Sequence, residues 1–484
     1  MKKDELFEVL GDIDPESIKK AGKYRANTKT SAKWRVWAGI AAAAVVAVTG
    51  TVIAVNVAKR GRPGTTDEDT GKTKASVVRV MASYPTSDLK EISPDSFADG
   101  DAHYRWYETQ LQKIQTTGKL APDMDKYYSS VMAELLRSQD ENTVCSPLNT
   151  YIAFAMLAEV SEGNTRKQLL DMLGASDPET LRNNVKALWE SNYADTPLLT
   201  SLLGNSVWLN NSVEYNEETL KRLADQYYAS SFRGTPGSSE MNEELKKWTD
   251  EHTGKLLTEY TKDMSLDPQT VLELVSTIYF KAQWQDHFDP GQTTKETFHG
   301  TKADQTVDMM HMRSQLSSFQ TDSFTAVSLP LTDSGAMHFY LPKEGTDINE
   351  LAADPTVLRV LREDGKAIYP EVNLSVPKFS VSGKKDLRDM LEQLGASDVL
   401  DPEKADFSAL TGDNEELFLS KADHAAVVEI DENGVTAAAY TELAICGSGM
   451  PQETLEFVLD RPFLFVVTGW DGSVLFTGVV RNIE

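Results

Sequence analysis

The sequence predicts an α+β domain, helices packed on large mixed or antiparallel sheets, behind a single membrane-spanning segment. Three observations predict it. Helical periodicity is concentrated early in the domain, branched and aromatic strand-like runs dominate the rest of it, and one uncharged stretch near the amino terminus has bilayer length. With 484 residues, 40% of them hydrophobic, the chain has material for a substantial core and is not a disordered protein.

Taken in order, residues 1–35 read as a short cytoplasmic segment and 36–58 as a transmembrane helix. VWAGIAAAAVVAVTGTVIAVNV carries no charge, and about 20 such residues cross a hydrocarbon core at helical rise. Lys33 and Arg35 precede it, Lys59, Arg60 and Arg62 come after it, and Trp34 and Trp37 suit an interface. The segment ahead of it is longer than the charged region of a signal peptide, so an uncleaved anchor is expected. Lys and Arg are denser on the amino-terminal side, which places the remainder outside the membrane. Residues 59–119 read as an extracytoplasmic linker, rich in Gly, Thr, Pro and charge. Its Gly71-Lys72-Thr73 is not a phosphate loop, because Gly64 stands too far upstream and no strand leads in.

From residue 120 to 484 one domain is expected. MDKYYSSVMAELLRSQ, LNTYIAFAMLAEVSEG and NTRKQLLDMLG have helical spacing, the last with Asn164 as a cap and Gly174 as its stop. LLGNSVWL (202–209), LELVSTIYFKAQW (272–284) and VNLSVPKFSV (372–381) have strand composition, and LEFVLDRPFLFVVTG and SVLFTGVVRN close the chain as consecutive strands. KKDLRDMLEQLG adds a further helix.

The composition excludes several functions. A net charge of −26 argues against nucleic acid as a partner. Cys145 and Cys446 lack the spacing of a zinc site or a disulfide framework and read as free thiols. CGSG at 446–449 lacks the glycine that a nucleophile elbow places two residues before its serine. The histidines at 103, 252, 287, 299, 311, 338 and 424 show no one-turn metal spacing. No catalytic residue, metal site or cofactor is expected. ENGVTAAAYTELAICGSGMPQE (432–453) is different: as a strand, Val435, Ala437, Ala439, Thr441, Leu443 and Ile445 fall on one side and Tyr440 and Glu442 on the other, while its alanines suit a helix equally.

These stretches together resemble the serpin family of protease inhibitors. DRPFLFVV within 457–467 resembles the family's carboxy-terminal signature, and HAAVVEIDENGVTAAAYT the hinge that leads into its reactive loop. Cys145-Ser146-Pro147-Leu148, GNTRKQLLDMLG, NSVWLN (205–210), LVSTIYFKAQWQDHFDP (274–290) and VPKFSV (376–381) are similar to segments of the family's early helices and central sheet. The likeness covers roughly residues 120 to 484.

The resemblance implies a serpin fold, with helices on three β-sheets and an exposed reactive-centre loop. It implies inhibition of serine proteases by a suicide mechanism: the loop is cut, the protease is trapped as an acyl-enzyme, and the loop inserts as a new strand in the central sheet. Carried over residue by residue, the hinge comprises Glu432, Asn433, Gly434, Val435, Thr436, Ala437, Ala438, Ala439, Tyr440 and Thr441. Val435, where relatives usually carry Thr or Ser, introduces no charge that must be buried. Loop length puts the reactive bond at Ser448-Gly449, a small residue suited to elastase-like or subtilisin-like enzymes. Ser146, Ser276, Trp284 and His424 match the region where the sheet opens, although relatives usually carry Asn where this chain has Ser276. The expectation is a monomeric, membrane-anchored protein of bacterial type on the cell surface, whose partner is a target protease. The alternative is a non-inhibitory serpin-fold binding or structural protein.

Overall fold

A computed structural model of the chain describes residues 45–57, 77–84, 89–117 with gaps, 120, and 122–483 apart from 363–365, 413–416 and 433–453. The first strand, β1 (Val45–Val57), is followed by the short β2 (Val78–Val80) and helix α1 (Asp101–Thr117). Helix α2 (Asp125–Leu135) and strand β3 (Thr143–Cys145) lead into α3 (Pro147–Val160), α4 (Gly163–Leu173) and α5 (Pro178–Asn192). Next come β4 (Ala194–Asp195), β5 (Leu199–Asn210), α6 (Glu217–Tyr227), β6 (Ala229–Gly234), α7 (Ser239–His252) and β7 (Thr270–Ala282). Strands then dominate: β8 (Thr294–His299), β9 (Asp304–Gln315), β10 (Ser317–Gln320), β11 (Phe324–Pro330), β12 (Ala336–Pro342), β13 (Glu371–Pro377), β14 (Phe379–Asp386) and β15 (Leu417–Ile430). The chain closes with β16 (Thr454–Val458), β17 (Phe463–Thr468) and β18 (Val474–Val480).

Among the described residues the strands form three sheets. The central one has eight strands, in the order β14-β15-β1-β7-β5-β6-β2, with β4 paired to β5. A six-stranded sheet runs β10-β11-β12-β17-β18-β3, and a four-stranded one β16-β13-β9-β8. This is the expected α+β architecture. Helix α3 lies at its centre. Every one of its residues is buried, as an all-round apolar helix requires. Ser146 caps it by accepting from the Asn149 amide, with Pro147 in the first turn where a missing N–H costs nothing. Toward its other end the buried Glu159 receives Arg182 Nε and Arg222 Nε, each at 2.6 Å, and so ties α3 to α5 and α6.

Several sequence-based expectations are corrected here. The segment 36–58, read as a transmembrane helix, is a strand wherever it is described: β1 pairs antiparallel with β15 on one side and β7 on the other. Among the described residues no helix is long and apolar enough to cross a membrane. The physical reason is an ambiguity of pattern. An uncharged run serves a strand buried on both faces as well as it serves a bilayer helix. Nine of the 13 residues of β1 are Val, Ile or Thr, whose branched Cβ favours the extended chain. Residues Thr51 to Asn56 are all buried. Ile53 and Val55 join the main core, while Val52 packs with Trp208, Leu245, Trp248 and Val275 beneath α7.

The expected linker 59–119 contains ordered elements. Strand β2 extends the central sheet against β6, and α1 is held by its aromatic side chains. Trp106 and Tyr107 set their rings against Trp470 at 6.0 and 4.9 Å, and His103 Nε2 lies 2.8 Å from Asp333 Oδ1. An aromatic face, rather than an aliphatic stripe, anchors this helix. Asn164 is not a cap: α4 starts a residue earlier, with Glu162 at the capping position, and the Asn164 amide donates to Asp398. Gly174 does end it, in the left-handed conformation at φ 70°. The run 372–381 is two strands in different sheets, divided at Lys378, whose amide donates to the Asp308 carbonyl.

Candidate functional site

The site is the slot in the central sheet between β7 and β15. Both strands present full edges, and β1 fills the space between them with its register running from Val45 opposite Ile430 and Ala282 to Val57 opposite Leu417. Residues alternate between the two faces. The inner face rests on α3; the outer face is covered by α7. Close cover is possible because β5 carries Gly204 under that helix, where a Cβ would come within 2.7 Å of His252 and 2.8 Å of Thr277 Oγ1.

A chain of polar groups crosses the slot on its inner face. The Ser146 amide donates to His424 Nε2 at 3.1 Å, so the ring's proton resides on Nδ1. Nδ1 in turn donates to Thr51 Oγ1 at 2.8 Å, and the Thr51 hydroxyl donates to Asn149 Oδ1. The Asn149 amide donates to Ser276 Oγ at 2.9 Å. Burial pushes the His424 pKa down to about 3, so the ring is neutral at physiological pH. Each link connects a different element: α3, β15, β1 and β7 meet through these groups. Opening the slot would leave buried donors and acceptors unmatched, which is how side chains regulate a sheet.

On the outer face, Glu273 of β7 stands opposite Ala54 of β1. Burial raises its pKa to about 7; Lys421 opposes that shift and Asp423 adds to it. At the end of β15 the indole Nε1 of the buried Trp284 donates to the Asp431 carbonyl at 3.1 Å, and its ring meets Phe288 edge-on at 6.0 Å. The next residue, Glu432, pairs with Lys378 at 2.5 Å and accepts from Thr293 Oγ1 at 2.9 Å. Burial works against its charge, but these partners hold its pKa below the usual range. Among the described residues no group of three or more His, Cys, Asp or Glu converges as a metal site.

The four residues expected at the opening therefore sit around one slot: Ser146, Ser276 and His424 in a single network, and Trp284 at its end. Ser276 stands where relatives usually carry an amide, and its hydroxyl accepts from the side-chain amide of Asn149 on α3. Sequence reasoning missed Asn149, although it lies three residues after the capping Ser146. It also missed Thr51, hidden in a run read as membrane-spanning. Of the hinge, Glu432 is described; Asn433, Gly434, Val435, Thr436, Ala437, Ala438, Ala439, Tyr440 and Thr441, with the reactive bond Ser448-Gly449, lie outside the described residues. Cys145 is a free, buried thiol whose pKa burial raises; Cys446 lies outside the described residues.

A broad, mostly antiparallel sheet with β1 held between β7 and β15 over a buried imidazole and amide, flanked by two smaller sheets and a fully buried helix, defines an α+β class of three-sheet proteins. The chain belongs to the serpin family: the family described as Serpin (serine protease inhibitor) matches residues 126–483. It is 28% identical over 372 residues to a serine protease inhibitor of Cyanea capillata, covering 74% of this chain and 95% of that protein. The thermophilic serpin tengpin in its native state superposes with a TM-score of 0.65 at 22% identity, over 75% of this chain and 94% of that one. Human thyroxine-binding globulin, complexed with thyroxine, gives 0.63 at 25% identity, over 78% and 100%. The family is one of protease inhibitors rather than enzymes.

Proposed function

We propose that the domain inhibits serine proteases by loop cleavage, acyl-enzyme trapping and insertion of the cut loop into the central sheet. The protease serine attacks the carbonyl of Ser448, the amine of Gly449 departs, and an ester links the two proteins. Insertion then carries the protease across the molecule and distorts its oxyanion hole and catalytic residues, so the ester outlives its normal hydrolysis. The observation that carries this reading is the slot itself: it takes a strand antiparallel to β15, the direction in which chain continuing from Ile430 would run after a reversal. The uncharged Val435 and the alanines behind it suit that entry. A small residue at the cleaved bond favours elastase-like or subtilisin-like targets. The inhibitor acts as a monomer, and the localisation we propose is the outer face of a bacterial membrane.

Mixing the protein with pancreatic elastase or subtilisin and running a denaturing gel tests the reading. A boiling-resistant band at the summed mass supports it. Val435→Arg should convert inhibition into simple cleavage; if the covalent band survives that change, the hinge is misassigned. A second reading, a non-inhibitory binding protein, is favoured by one observation: β1 already fills the space the loop would need. Complete digestion or no reaction, with every protease tried, would select it.

A further inference from the structure

We infer that the slot between β7 and β15 is a binding site for this chain's own segment Val45–Val57, and that the segment competes there with the reactive loop. The competition rests on the insertion reading above; the strand site does not.

The fit of the segment is specific. Its backbone is satisfied by antiparallel ladders on both sides along its length. Its inner-face residues include Thr51, which completes the hydrogen-bond chain between His424 and Asn149, and Ile53 and Val55, which are fully buried in the core. Removing the strand would strip Thr51 from both partners and open the apolar floor to water.

The loop carries a similar pattern, so the same slot admits either. If Asp431 to Gly434 reverse the chain, Val435 arrives at the height of Val45, which stands opposite Ile430. Thr441 then falls at the place of Thr51, Leu443 at Ile53 and Ile445 at Val55. The two occupants match in hydroxyl and in apolar positions. They differ in bulk and in charge elsewhere: Tyr440 would take the position of Gly50, and Glu442 that of Val52. Val52 stands directly opposite Asp423 on β15 and Val275 on β7, packed among Trp208, Leu245 and Trp248. A carboxylate there faces Asp423, whose charge is already paired with Lys384 at 2.9 Å, and must be buried among Trp208, Leu245 and Trp248 without a cation of its own, with Glu273 a step further along the same face. The amino-terminal segment is therefore the better-matched strand. While it is seated, a protease that cuts the loop finds no slot to drive insertion, hydrolyses its ester and leaves.

The test uses the full chain. In a Val52→Cys, Val275→Cys variant the paired positions should join on mild oxidation, with the 52–275 bond identified by peptide mapping. The oxidised form should be cut by subtilisin or pancreatic elastase without forming a covalent complex. An Ile53→Asp variant, which places a charge in the core and unseats the segment, should raise the yield of covalent complex over wild type by about tenfold or more, as expected when a competent state is freed from a dominant closed one. Absence of the 52–275 bond, or an oxidised form that traps protease as well as the reduced form does, overturns the inference. Should Ile53→Asp fail to fold, the oxidised and reduced forms of the paired variant decide. If the bond forms but no variant traps any protease, the insertion reading fails and the strand site stands.

Discussion

Replacing Glu273 by Gln should stabilise the protein in alkaline solution and leave it nearly unchanged in acid. Glu273 is 1% exposed, faces Ala54 on one side and Trp208 on the other, and its Oε1 has no hydrogen bond among the described residues. Burial raises its pKa from 4.5 to about 7, with Lys421 opposing and Asp423 assisting. The raised value fixes the sign. Below the unfolded pKa both states hold the proton and nothing is lost; as the pH rises through the folded pKa, the unfolded chain gains by ionising and stability falls. At about 1.36 kcal/mol per unit the full loss is about 3 kcal/mol, complete by about pH 8 and under about 1 kcal/mol near pH 5. For a domain of this size that corresponds to about 4 °C in melting temperature. Tryptophan-fluorescence melts of wild type and Glu273→Gln at the two pH values measure it. A Gln variant that melts below wild type at the higher pH, or by an equal offset at both, would refute the burial argument.

Other expectations rest on the same contacts. His424→Gln should cost about 1–3 kcal/mol near neutrality. Because burial depresses the wild-type ring's pKa to about 3 from 6.5, its contribution is present above 6.5 and is lost as the pH falls toward 3. The gap between variant and wild type in urea melts should therefore narrow on acidification. Glu159→Ala should cost about 3 kcal/mol by leaving two arginines without their shared acceptor; the full penalty of a buried pair is reduced because Arg182 and Arg222 side chains are 23% and 25% exposed. Gly204→Ala should destabilise by about 1–3 kcal/mol, since its methyl meets His252 and Thr277, and calorimetry would register it.

The legibility of the fold and site in the sequence varied with the kind of signal. Helix α3 and strands β5, β7, β17 and β18 follow from local pattern, because apolar spacing and branched residues speak directly to a buried helix or strand. Ser146, Trp284 and His424 were placed through resemblance, since nothing local distinguishes a network serine or histidine from an ordinary buried one. Thr51 and β1 were missed for a reason of principle. Burial on both faces abolishes the alternation that marks a strand, and what remains looks like lipid-facing helix. The density of branched residues from Val45 onward, after the alanines of 41–44, was the available clue. Helix α1 was passed over because its contacts are aromatic and distant in sequence, with Trp470 and Asp333 far downstream.

The polarity of β1 carries one more implication. Val45 lies level with Ile430 and Val57 level with Leu417, so the chain enters the slot at the pole where β15 ends and exits at the opposite pole. Any surface, particle or fusion partner attached ahead of Val45 is thus moored at the end of the slot where β15 finishes. The same tether, if drawn out of the slot, would vacate the seat in a single motion.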